Sequence, residues 1–98
     1  MPKPLPDSVL HIAWTSLARL LPRSLAVLHH GGIGTSARGL AAGIPQLVMP
    51  MGFDQPDNAV RLRRLNVAEL IIPRHFSVRR VERVLEGLLS SPATAEAC

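Results

Sequence analysis

Short apolar runs alternate along this chain with longer stretches whose apolar positions recur at helical spacing, the pattern of repeated strand–helix–strand units. Val9–Trp14 is expected to form a first strand and Ser16–Leu21 a short helix, ended by Pro22 because proline drives the residue before it away from helical geometry. Leu25–His29 reads as a buried strand, Thr35–Ala42 as a helix with Gly43 at its left-handed cap, and Gln46–Met49 as the next strand. From Gln55 to Leu65, Ala59, Leu62 and Leu65 fall on one helical face, with Asp54 placed as N-cap and Asn66 where a left-handed terminator belongs. Val67–Ile72 is a further strand closed by Pro73. Ser77 then caps a last helix whose Val81, Val84, Leu85, Leu88 and Leu89 make one apolar stripe. Ser90–Cys98 turns small and polar and is expected to be a flexible tail. The sum is an α/β domain with a mainly parallel sheet and flanking helices.

Composition narrows this picture. A chain of 98 residues with 47% hydrophobic content can bury one core, so a single domain over residues 1–98 is expected. No repeat or low-complexity tract interrupts it. Formal net charge is +4, but the arginines are scattered between one group at Arg61, Arg63 and Arg64 and another at Arg74, Arg79, Arg80 and Arg83. Trp14, Phe53 and Phe76 are the only aromatic side chains besides histidine, too few to build a base-stacking platform, so nucleic acid is not an expected partner. Cys98 is the single cysteine, which excludes an internal disulfide or a cysteine metal cluster. No apolar run approaches the ~20 residues that span a bilayer. Met1-Pro2-Lys3-Pro4 does not open an apolar leader, and a cytoplasmic setting is expected.

Candidate chemistry concentrates in His29-His30-Gly31-Gly32-Ile33-Gly34-Thr35-Ser36. A glycine-rich turn between an apolar strand and a helix brings bare backbone N–H groups to a helix N-terminus, where the macrodipole favours an anion and Thr35 and Ser36 add hydroxyl donors. An ordinary strand-to-helix turn, using glycine for close packing, is the plain alternative. Gly32 to Ala37 also fits the dinucleotide pattern G-x-G-x-x-A. The acid that should end the following strand is missing, however: that strand runs into Met49-Pro50, with Asp54 only later in a loop. A P-loop is excluded because no Lys-Ser or Lys-Thr follows the glycines. His29 and His30 are adjacent and face opposite ways in an extended segment, so they do not chelate one metal together.

With Leu20-Leu21-Pro22-Arg23 before it, and Gly43-Ile44-Pro45 and Pro50-Met51-Gly52-Phe53-Asp54-Gln55 after it, this turn resembles the donor-sugar signature of GT-B glycosyltransferases. These enzymes use nucleotide-diphosphate sugars, and the class includes UDP-glucuronosyltransferases, plant glucosyltransferases and macrolide glycosyltransferases. The resemblance runs from about Leu20 to Leu65. It implies a Rossmann-like sheet forming part of the C-terminal, donor-binding domain. It also implies that His30 hydrogen-bonds the donor diphosphate, that Gly31, Gly32, Gly34, Thr35 and Ser36 surround it, and that Asp54 and Gln55 contact sugar hydroxyls.

Arg38 stands where plant members carry a ribose-binding glutamate, and Trp14 lies out of register with their uracil-stacking tryptophan; macrolide-type members often lack that acid too. The implied donor is a UDP-sugar, with no separate cofactor, and the implied reaction is hexosyl transfer to a small molecule with inversion. The family's general base is a histidine of the N-terminal acceptor domain. His11 and His75 lie in no motif that substitutes for it, so the chain is expected to be inactive alone and no catalytic residue is assigned within it. An alternative is a non-catalytic glycosyltransferase-like module that homodimerises through an exposed sheet edge or pairs with a separate N-terminal acceptor domain.

Overall fold

The computed structural model describes residues 7–52 and 55–98; Phe53 and Asp54, and with Asp54 both its expected capping and its sugar-binding roles, lie outside the described residues. Three parallel strands, β1 (Val27–His29), β2 (Gln46–Val48) and β3 (Ala68–Leu70), form a sheet in the order β1-β2-β3. Val27 lies opposite Gln46 and Gln46 opposite Ala68, so β2 is central. Backbone bonds from Val27 N–H to Pro45 C=O and from Ile71 N–H to Val48 C=O continue the ladders past the strand ends. The strands expected at Leu25–His29, Gln46–Met49 and Val67–Ile72 are therefore present with shorter regular cores.

Parallel strands need crossovers, and helices supply them. Helix α2 (Ile33–Ala42) joins β1 to β2, and α3 (Gln55–Arg64) joins β2 to β3. Gly43 closes α2 at φ 69°, and its N–H bonds back to the Gly39 and Leu40 carbonyls; Asn66 takes φ 63° just after α3, the tolerated substitute for glycine there. Strand alternation then divides the core. Val48 and Ala68 pack with Ala59, Leu62 and Val67 on the α3 side. On the opposite side Leu47 packs with Ile71 and with Leu88, Val81, Val84 and Leu85 of α4 (Val78–Ser90). The Ser77 hydroxyl accepts the Arg80 N–H at 3.1 Å and caps α4 as expected.

Several expectations change. Val9–Trp14 forms no strand: Leu10 and Trp14 are 81% and 82% exposed, and no described neighbour completes their backbone pairing. The helix expected at Ser16–Leu21 is α1 (Leu17–Leu20), and Pro22 sits inside the 3₁₀ turn Leu21–Arg23 that continues it, where a missing N–H costs little. Leu65 and Leu89, assigned to apolar faces, are half exposed at the ends of those faces. The expected flexible tail contains α5 (Pro92–Ala97), with Ser91 as its cap and Thr94 buried.

Candidate functional site

In a parallel sheet all strands end at one edge, so the loops following them converge. Here the segments after β1, β2 and β3 enclose a cavity of about 580 Å³ lined by Leu28, His29, His30, Gly32, Thr35, Met49, Gln55 and Phe76. The N-terminus of α2 opens into it. The N–H groups of Ile33, Gly34 and Thr35 belong to the first turn of α2 and have no partner within the helix, whereas Ser36 N–H already bonds Gly32 C=O at 2.9 Å. Among the described residues no carboxylate lines the cavity. An imidazole, a hydroxyl and the positive end of a helix make it suited to an anion.

His30 is exposed and its Nδ1 lies 3.2 Å from Met49 C=O. A carbonyl only accepts, so this nitrogen carries the hydrogen and Nε2 is left for a ligand. His29 faces the other way. Its Nε2 is 2.6 Å from Gln46 Oε1, and its Nδ1 accepts the Gly31 N–H at 2.9 Å. An acceptor at Nδ1 fixes the neutral ring with its hydrogen on Nε2. Burial pushes the His29 pKa below its ordinary value of 6.5, and the neighbouring His30 lowers it further, against the opposing effect of the Gln46 bond.

The turn itself requires Gly31. Its φ is +95°, and a Cβ there would stand 3.0 Å from both Gln55 C=O and a Val48 methyl. Both of its backbone polar groups are engaged internally, the N–H by His29 and the C=O by the Asn58 amide at 2.8 Å. Of the residues expected at the site, His30, Gly32, Thr35 and Gln55 therefore line the cavity, and Gly31 shapes it without offering its N–H. Gly34 is exposed on the first turn of α2 and does not line the cavity. Ser36 is 3% exposed, and its Oγ has no hydrogen-bond partner; it borders a smaller hollow between α2 and α3 with Ile33 and Leu40, away from the cavity. Gln55 commits its Oε1 to the Met51 N–H at 2.8 Å, which leaves its NH₂ group as the hydrogen-bonding edge for a ligand.

Arg38 and Trp14 take no part in the lining; Arg38 lies beside Ala18 and Pro22 instead. Leu28, Met49 and Phe76 are lining residues that motif reading did not single out, although their positions at or after strand ends were the available signal. Gln46 carried a different signal, being a single amide in a run otherwise apolar from Ile44 to Met49 except for Pro45.

The three-stranded parallel sheet with its flanking helices matches part of the C-terminal domains of GT-B glycosyltransferases. The chain belongs to the family described as Erythromycin biosynthesis protein CIII-like, C-terminal domain, whose model matches residues 2–97. It is 40% identical over 91 residues to O-mycaminosyltylonolide 6-deoxyallosyltransferase of Streptomyces fradiae, covering 93% of this chain and 20% of that protein. It is 36% identical over 96 residues to aclacinomycin-T 2-deoxy-L-fucose transferase of Streptomyces galilaeus, covering 96% of this chain and 22% of that protein. Among solved structures, the spinosyn forosaminyltransferase SpnP aligns over 99% of this chain and 26% of its own, with a TM-score of 0.91 and 26% identity. The glycosyltransferase VinC in complex with dTDP aligns over 96% of this chain and 24% of its own, with a TM-score of 0.88 and 30% identity. The chain thus spans about a fifth to a quarter of these proteins' lengths.

Proposed function

We propose that this chain is the nucleotide-diphosphate-sugar-binding part of a glycosyltransferase that moves a hexose to a small-molecule acceptor. The observation that carries the reading is the convergence of His30, Gly32, Thr35 and the first turn of α2 on one cavity free of described carboxylates. The diphosphate lies across these donors, His30 Nε2 and the Ile33, Gly34 and Thr35 N–H groups bond its oxygens, and Gln55 faces the sugar, the role that the motif also implies for Asp54. Charge that develops on the leaving diphosphate during displacement at the anomeric carbon is stabilised by the same groups. UDP is the donor nucleotide implied by the sequence motif, and the dTDP held by VinC makes dTDP its direct competitor. Calorimetric titration with UDP and dTDP, against UMP and dTMP, tests the reading. Saturable binding that needs the second phosphate supports it; equal response to mono- and diphosphates contradicts it.

The same proposal holds the isolated chain inactive. Both ring nitrogens of His29 are engaged, and His30 faces the diphosphate, so among the described residues no lining side chain is placed to deprotonate an acceptor. UDP- or dTDP-sugar turnover with an acceptor, above hydrolysis without protein, contradicts this.

A second reading rests on β1, which has a described neighbour on one side only, with Leu28 46% and Leu25 80% exposed beside it. An open edge with apolar flanks invites strand addition. In this reading the chain homodimerises or pairs with a separate acceptor domain. Light scattering that returns a clean monomer at high micromolar concentration contradicts the homodimer.

A further inference from the structure

We propose that His29 and Gln46 are positioning residues that hold the glycine turn in the form that presents α2 to a diphosphate. The inference rests on the donor reading above but on side chains to which that reading gives no role. Gln46 is wholly buried at the start of the central strand. Its Oε1 meets His29 Nε2 at 2.6 Å, and its amide nitrogen donates to Ser36 C=O in α2 at 3.3 Å. His29 Nδ1 in turn accepts the Gly31 N–H, and the Gly31 C=O accepts from Asn58 in α3. One continuous set of hydrogen bonds therefore ties α2, β2, β1, the glycine turn and α3 together. Partners of this kind fix a side chain's orientation as well as its position.

The packing of α2 agrees. A Cβ at Gly39 would come within 2.5–2.8 Å of the Gln46 side-chain amide, so α2 carries a glycine where that amide lies against it. Polarity along the relay is set by the Gly31 N–H, which only donates. His29 Nδ1 must accept, its Nε2 must donate, and Gln46 must present its oxygen to the ring. One turn N–H is thereby withheld from the ligand, and the remaining free N–H groups are those of the first turn of α2. The contact from His29 to a backbone N–H two residues on has the geometry of an Asx turn, a bond that an asparagine side chain can also make.

This predicts a result that mere filling of space by His29 does not. In ligand-free protein, ¹⁵N spectra should show His29 with bare Nδ1 and protonated Nε2, and the Gly31 amide should be protected from exchange. Substituting His29→Leu should remove that protection and weaken dTDP binding by about tenfold or more, the loss of one hydrogen-bonded anchor. His29→Asn keeps the acceptor for Gly31 but loses the donor to Gln46 Oε1, so it should restore Gly31 protection and bind dTDP more tightly than His29→Leu while staying weaker than the parent. A His29 ring protonated on Nδ1, or a His29→Leu chain that binds dTDP as tightly as the parent, overturns the proposal. If His29→Leu does not fold, the parent ring state and the His29→Asn chain carry the test by themselves. Failure of the parent to bind dTDP, with the ring and Gly31 amide as stated, overturns the donor reading and leaves the positioning of the turn standing.

Discussion

At the residue scale, adjacent histidines do opposite work because strand geometry turns their rings apart. His29 points into the α2 side and is held neutral, chiefly by burial and with a smaller contribution from His30. Its folded-state pKa lies below its unfolded value, so the unfolded chain binds the proton more readily in the acidic window beneath pH 6.5. Stability is therefore greatest above that value and falls as pH drops toward the folded pKa. Denaturant titrations from pH 8 to 5 should show this loss, and the His29→Asn chain should show less of it. His30 behaves differently because its Nδ1–H already serves Met49 C=O. With Nδ1–H engaged, Nε2 is the ring atom that faces a phosphate oxygen, and it donates there when it too carries a hydrogen. In calorimetric titration with dTDP, His30→Gln should cost roughly ten- to a hundredfold in affinity, the range for a hydrogen bond to a charged group, with little change in melting temperature because the ring is exposed.

At the element scale, local signals with a specific physical requirement were legible and those that depend on distant neighbours were not. Gly43, Asn66 and Ser77 each mark a helix end through backbone geometry or a capping oxygen, and each stands where the sequence placed it. Val9–Trp14 has the composition of a strand, yet a strand exists only where another strand pairs with it, and composition does not report that. Ser36 was legible as a hydroxyl near the turn. Its burial between α2 and α3 depends on helical phase, because it begins the second turn of α2 after the free N–H groups have ended. Gln46 was assigned to a strand, but its amide function appears only when α2 is laid across the sheet. Two substitutions test the element picture by denaturant unfolding. Ser77→Ala should cost about 1 kcal/mol through loss of the α4 cap. Leu47→Ala should cost about 2–5 kcal/mol, because it empties the contact between the central strand and α4.

At the scale of the whole molecule, the parallel topology determines where a ligand can bind. Residues as far apart as Leu28 and Phe76 meet because all three strands end at one edge. The positive charge of the chain is spread elsewhere: Arg61 pairs with Asp57 at 3.2 Å and Arg63 with Glu69 at 3.4 Å, both on solvated surfaces. Such exposed pairs are worth little in stability, but they leave the α2 N-terminus and His30 as the anion-directed features of the cavity. The most direct measurement of the central claim is amide chemical-shift mapping of the 98-residue chain during titration with dTDP and UDP, with UMP and inorganic phosphate as controls. The account predicts saturating shifts at His30, Gly32, Ile33, Gly34, Thr35 and Gln55 with a diphosphate, and far weaker ones with UMP or phosphate. No shifts at millimolar diphosphate, or shifts centred on Ser36, Leu40 and Leu65 in the α2–α3 hollow, would contradict it.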